Sequence, residues 1–159
     1  MTEAAIRRLQ PGDEAGWNAA RLLVEQYAAS LNVDLGFQNF DDELAHLSTQ
    51  YGPPDGAFLV AQQGERFVGC VGVRKFTGDT AEMKRLWVDP HARGGGIGRL
   101  LAAGAIETAR TLGYARLVLD TLPTMAEARA LYRSLGFTET PAYRFNPVDG
   151  TAFLELELR

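Results

Sequence analysis

The 159-residue chain has one cysteine, Cys70, and two histidines, His46 and His91. A single thiol excludes an intrachain disulfide framework and any cysteine-rich metal site, and two histidines leave little for a zinc site built on imidazole. Long apolar runs are absent too: none approaches the roughly 20 residues that a membrane helix needs. The opening Met-Thr-Glu-Ala-Ala-Ile-Arg-Arg holds no apolar core of a signal peptide. Positive charge is in deficit, with 16 basic against 20 acidic side chains, so nothing at whole-chain level points to nucleic acid. These absences predict one soluble, cytoplasmic domain over residues 1–159, with no metal, no membrane contact and no nucleic-acid partner.

The residues that are present describe a globular chain, 46% apolar and 23% charged. Its charge is uneven. Residues 1–60 carry three basic and nine acidic side chains, whereas residues 84–116 carry six basic and two acidic ones. A basic centre in an acidic protein suits a small anion held locally, and solvated helix and loop charges explain it as simply.

Periodicity predicts the order β-α-α-β-β-β-α-β-α-β-β. Ala4–Leu9 reads as an edge strand, and Asp13 caps a helix with Trp17, Ala20, Val24 and Tyr27 at helical spacing. Asn32–Gln38 reads as a loop, and Asp41-Asp42-Glu43 opens a shorter helix to about Thr49. Phe58–Gln62 and Arg66–Phe76 form a hairpin about Gln63-Gly64-Glu65, followed by a strand over Ala81–Val88. Ile97, Leu100, Leu101, Gly104, Ala105, Thr108 and Leu112 then define a helical face closed by Gly113. Leu117–Asp120 has the apolar run of a buried parallel strand. Thr124 and Glu127 form a capping box for a last helix ending at Gly136, and Phe137–Thr140 and Thr151–Leu158 are the final strands. The expected fold class is α/β (α+β): one mixed, mostly antiparallel, twisted sheet of about seven strands flanked by four helices.

The chemistry concentrates in Leu86-Trp87-Val88-Asp89-Pro90-His91-Ala92-Arg93-Gly94-Gly95-Gly96-Ile97-Gly98-Arg99, a strand running through a glycine turn into a helix. A helix start offers unpaired N–H groups and a positive dipole end, which together attract phosphate. Three phosphate readings compete. A P-loop needs Lys-Ser/Thr after its last glycine, and Arg99-Leu100 stands there. A dinucleotide fingerprint needs Gly-x-Gly-x-x-Gly, and its third place holds Leu101 or Arg99; Asp120 lies near where a ribose-binding acid belongs, so a nucleotide-dependent oxidoreductase stays an alternative. The third reading is an acyl-coenzyme A pyrophosphate loop.

Arg93-x-x-Gly96-x-Gly98 after Leu-Trp-Val-Asp-Pro resembles the coenzyme A motif of the GCN5-related N-acetyltransferase (GNAT) superfamily. Ala128-x-x-Leu131-Tyr132-x-x-x-Gly136-Phe137 matches the late helix and strand of that family, and the element order fits its fold along nearly the whole chain. One departure is Met125, where an Asn is common in the family. The resemblance implies acetyl-CoA as co-substrate. The backbone of Leu86, Trp87 and Val88 would hold its pantetheine arm, with Arg93 at the rim. The N–H groups of Gly94, Gly95, Gly96, Ile97, Gly98 and Arg99 would hold the pyrophosphate. It also implies a sheet splayed after this strand, and homodimers are frequent in the family.

Transfer to an amine needs a base, because an alkylamine has a pKa of ~10.4, and an acid helps the thiolate leave. The resemblance places Tyr132 beside the sulfur as that acid, the favoured reading; a core-facing helix aromatic next to Leu131 and Leu135 is the alternative. Glu82 precedes Arg93 by 11 positions, where histone-acetylating members carry a base Glu, and Asp120 is the reserve. Strict alternation puts Glu82 on one face with Lys84, Leu86 and Val88. His91 reads as an exposed loop residue, Cys70 as a core residue, and Trp17 and Trp87 as packing. The expectation is an acyl-CoA N-acyltransferase acting on a small-molecule amine in a ternary complex. A non-catalytic acyl-CoA sensor on the same fold is the competing class.

Overall fold

The computed structural model describes residues 3–31 and 39–159. The loop expected over Asn32–Gln38 lies outside them. One sheet holds seven strands: β1 (Ala5–Arg8), β2 (Ala57–Gln63), β3 (Arg66–Thr77), β4 (Thr80–Val88), β5 (Arg116–Thr121), β6 (Thr138–Glu139) and β7 (Ala152–Glu157). Their order is β1-β2-β3-β4-β5-β7-β6. Every neighbouring pair is antiparallel except β4–β5, which is parallel as the apolar run Leu117–Leu119 suggests. The crossover between those two strands is the 15-residue helix α4 (Ile97–Thr111).

Helix α1 (Glu14–Ser30) starts where Asp13 accepts a hydrogen bond from the Gly16 N–H, the expected cap. The second helix is broken. At His46 the backbone leaves helical angles (φ −131°, ψ 34°), dividing it into α2 (Phe40–Ala45) and α3 (Leu47–Gln50), so that with α5 (Ala126–Ser134) the described residues form five α-helices where four were expected. The expected Thr124–Glu127 capping box does not form either. Met125 is the N-cap of α5, and no side chain caps it.

Both sheet faces are covered, which is why β2 reads as an apolar run with five successive buried residues. On one face Trp17, Ala20, Leu23 and Val24 of α1 pack with Leu47 and Tyr51 on Phe58, Val60 and Cys70. On the other, Ile97, Leu101, Ala105, Ile106 and Ala109 of α4 pack on Leu59, Ala61, Val71, Ala81, Met83 and Leu117. Each fully buried Leu, Val or Phe contributes roughly 1.5–3 kcal/mol of transfer free energy. The expected α4 face was turned by about one residue. Leu100 is 49% exposed, while Ala102, Ile106 and Ala109 carry the buried stripe.

Candidate active site

Two features of β4 build the site. The first is a bulge. Between the register pairs Cys70↔Trp87 and Gly72↔Lys84, β4 carries Arg85 and Leu86 against Val71 alone. Arg85 sits there at φ +63°, a conformation that costs a non-glycine residue free energy and persists only where its surroundings impose it. The surroundings are explicit. The Arg85 guanidinium makes two hydrogen bonds to Glu43, at 2.7 and 3.1 Å, and lies over the rings of Tyr27 and Phe40. Both partners are almost fully buried. Burial pushes the Glu43 carboxyl up, but the Arg85 hydrogen bonds and charge outweigh it and hold its pKa below the ordinary value.

The bulge also breaks strict alternation. Leu86 and Val88 pack with the α4 cluster and Trp87 with the α1 cluster, so Glu82 and Lys84 do not share the face of Leu86 and Val88. An inserted residue moves every later side chain to the other face.

The second feature is a fork. Strands β4 and β5 pair only at Thr80↔Arg116, Ala81↔Leu117 and Glu82↔Val118. Beyond that point lies a pocket of about 50 Å³, lined from β4 by Met83, Lys84, Arg85 and Leu86 and from β5 by Leu119 and Asp120, with Met125 and Tyr132 from α5 and its cap. The splay implied by the resemblance is therefore present. The pocket continues into a groove of about 860 Å³ that shares Tyr27, Leu86, Met125 and Ala128 with it.

That groove brings together Leu86, Trp87, Val88, Arg93, Gly94, Gly96, Ile97 and Gly98. Gly95 and Arg99 flank it in sequence and are exposed. Gly96 caps α4 in left-handed geometry without a side-chain bond, so the first N–H groups of the helix lack a capping side chain. Gly94 and Gly96 need their glycine backbone (φ +92° and +81°), but Gly95 does not, and a Cβ there would meet nothing within 4 Å. Folding gives no reason for Gly95; an open approach to the backbone does. Arg93 donates to the Val88 carbonyl at 3.0 Å and lies 4.7 Å over the Trp87 ring, and Arg99 donates to Ser134.

Tyr132 lines the pocket with its ring against Phe137. Burial raises its pKa, so the phenol stays protonated at neutral pH. Glu82 is fully buried at the root of the fork, but does not line the pocket. It accepts from the Tyr143 hydroxyl at 2.7 Å and from Arg144 at 2.8 Å, with Arg74 at 3.5 Å. Asp120 does line it, and accepts from Asn146 at 3.1 Å. Tyr143, Arg144 and Asn146 come from the loop between β6 and β7, which sequence reasoning left without a role. Lys84 is buried in the β4 wall of the pocket, across the fork from Asp120, and burial lowers its pKa to about 7. His91 is exposed and Cys70 buried, as expected.

Among known proteins, the acetyltransferase (GNAT) family model matches residues 20–137 of the chain. An uncharacterized N-acetyltransferase of Schizosaccharomyces pombe is 44% identical over 140 residues, spanning 87% of this chain and 86% of that protein. The structure of YncA from Salmonella typhimurium with its cofactor acetyl-CoA is 26% identical, covers 99% of this chain and 95% of that one, and superposes with a TM-score of 0.68. A Streptococcus agalactiae acetyltransferase structure covers 99% of this chain and 100% of that one, at 22% identity and a TM-score of 0.79.

Proposed function

The chain belongs to the acetyltransferase (GNAT) family of N-acetyltransferases, and from that premise we propose that it moves the acetyl group of acetyl-CoA onto the primary amine of a small molecule, by direct attack with both substrates bound. The observation that carries this reading is the junction of the β4–β5 fork with the glycine groove. It joins a long groove along the glycine turn to a small pocket lined by Tyr132 and Asp120, an arrangement that suits a long phosphorylated donor with an acid and a base at its reactive end. The groove fits the donor: its glycine turn opens onto uncapped helix N–H groups, and Gly95 leaves room that packing does not require. The N–H groups from Gly94 to Arg99 hold the pyrophosphate, with Arg93 adding charge at the rim.

When bound, acetyl-CoA supplies the thioester that the amine attacks. The N–H of Leu86, at the bulge, stabilises charge developing on the thioester oxygen. Tyr132, kept protonated by burial, gives its proton to the departing sulfur. Asp120 takes the proton from the amine, a role favoured by its place in the pocket lining. Glu82, the base suggested by the resemblance, lies outside that lining and accepts hydrogen bonds from Tyr143 and Arg144 of the loop between β6 and β7. A cytoplasmic location is part of the reading.

The test is release of coenzyme A thiol from acetyl-CoA over a panel of amines, with donor affinity measured by calorimetry. Tyr132→Phe and Asp120→Asn each lower kcat by roughly 10²-fold or more while the acetyl-CoA Kd holds. A folded wild-type protein that binds no acetyl-CoA overturns the reading, and full activity in Tyr132→Phe removes the assigned acid. Binding without thiol release on any amine supports the sensor instead.

A further inference from the structure

The acceptor pocket carries a charge pattern that the transfer reaction alone does not require. Glu82↔Val118 is the last register pair of β4 and β5, so Lys84 and Asp120, each two residues on, occupy matching positions on one sheet face across the opening fork. Both line the pocket. Around them Glu43 pairs with Arg85, and Glu82 with Arg144 and Arg74, and Lys84 has a contact of its own within the protein. Asp120 is oriented by Asn146. A positive group thus stands on one wall and a negative group on the other, around a space of about 50 Å³.

We propose that the acceptor is a free amino acid, its ammonium received by Asp120 and its carboxylate by Lys84, with its side chain directed out of the fork. This rests on the acetyltransferase reading above and names its substrate class. An acceptor with an amine alone leaves Lys84 facing another cation, whereas a zwitterion meets an opposite charge on each wall. The pocket opens into the larger groove through shared lining residues, so the side chain has a way out of the fork. Lys84 also interacts with the protein around it, so an incoming carboxylate joins or replaces that contact.

Among the described residues, the charged groups acting on Lys84 include Glu43 from α2, Arg74 from β3, Glu82 and Arg85 from β4, and Asp120 from β5. Burial lowers the pKa of Lys84 to about 7, so carboxylate binding draws a proton onto it. Affinity for an amino acid, corrected for ionisation of its own amine, falls as pH rises above about 7.

The experiment measures thiol release with acetyl-CoA and three matched sets: free α-amino acids, their amides, and the amines left when the carboxyl group is removed. The wild type prefers the best free amino acid over its amide and its decarboxylated amine by at least tenfold in kcat/KM. In Lys84→Met that ratio collapses towards one, through KM for the amino acid, and Lys84→Arg restores part of it. Circular dichroism establishes that both variants fold, and Lys84→Gln is the substitute if Lys84→Met does not. Decarboxylated amines or amides turning over as well as amino acids in the wild type overturn the proposal. So does a Lys84 variant that keeps the preference, or one that lowers kcat equally on all three sets. These outcomes leave the acetyltransferase reading standing, because thiol release still occurs; no thiol release with any amine rejects that reading instead.

Discussion

Lys84 gives the sharpest thermodynamic prediction. Replacing it with Met keeps an unbranched, largely apolar side chain and removes a buried ammonium that is 5% exposed. In the folded protein burial lowers its pKa from 10.5 to about 7, with Arg85 and Arg74 opposing the charge and Glu82 and Asp120 favouring it. Below pH 7 both folded and unfolded chains hold the proton, so folding bears the full cost of burying the charge. Above pH 7 the folded chain releases it and the unfolded chain does not, so this site adds stability as pH rises towards 10.5. With a limiting slope of about 1.4 kcal/mol per pH unit, reached only once most of the folded chains are deprotonated, the gain between pH 7 and 8.5 is about 1.5 kcal/mol. Urea unfolding of wild type and Lys84→Met at pH 6, 7 and 8.5 isolates it. The difference between the two proteins stays level from pH 6 to just below 7 and then shifts by that amount in favour of the wild type. A difference that stays flat to pH 8.5 refutes the reasoning, because it means the folded protein solvates Lys84 as well as the unfolded chain does.

Two further outcomes concern the frame of the site. Glu43→Gln strands the buried Arg85 charge and lowers stability by about 3–5 kcal/mol in urea unfolding, whereas Glu43→Leu with Arg85→Met recovers most of the loss. Gly95→Glu leaves the melting temperature near that of wild type but weakens acetyl-CoA binding tenfold or more by calorimetry, while Gly96→Ala, at φ +81°, costs about 1 kcal/mol of stability.

The parts of the fold that depend on local chemistry were legible in the sequence. Asp13 caps α1 because a carboxylate there meets a free N–H, and the Gly94–Gly98 turn opens α4 for reasons confined to its own residues. The apolar run at Leu117–Leu119 announced the parallel pairing of β5. What escaped depends on distant partners. Alternation has no mark for an inserted residue, so the bulge at Arg85 stayed hidden, and with it the true faces of Leu86 and Val88. Glu43 read as one acid among three at a helix start, yet it is buried because Arg85, 42 residues away, meets it. Tyr143 and Arg144 gave no periodic signal and owe their place to Glu82. The Thr124–Glu127 spacing fitted a capping box, but the helix begins at Ala126 and the cap falls to Met125.

The fork has a mechanical consequence. The strands before it and after it are joined within the sheet by three register pairs, Thr80 to Glu82 against Arg116 to Val118, and along the rest of β4 the two leaves stand apart. Such a sheet is a book with a short spine. The crossover helix α4, packed beneath strands on both sides of that spine, supplies the rest of the binding. Any molecule that binds the folded fork and not the unfolded chain would add to the stability of the fold in proportion to the logarithm of its concentration, so the resilience of the fold would follow the supply of its ligand.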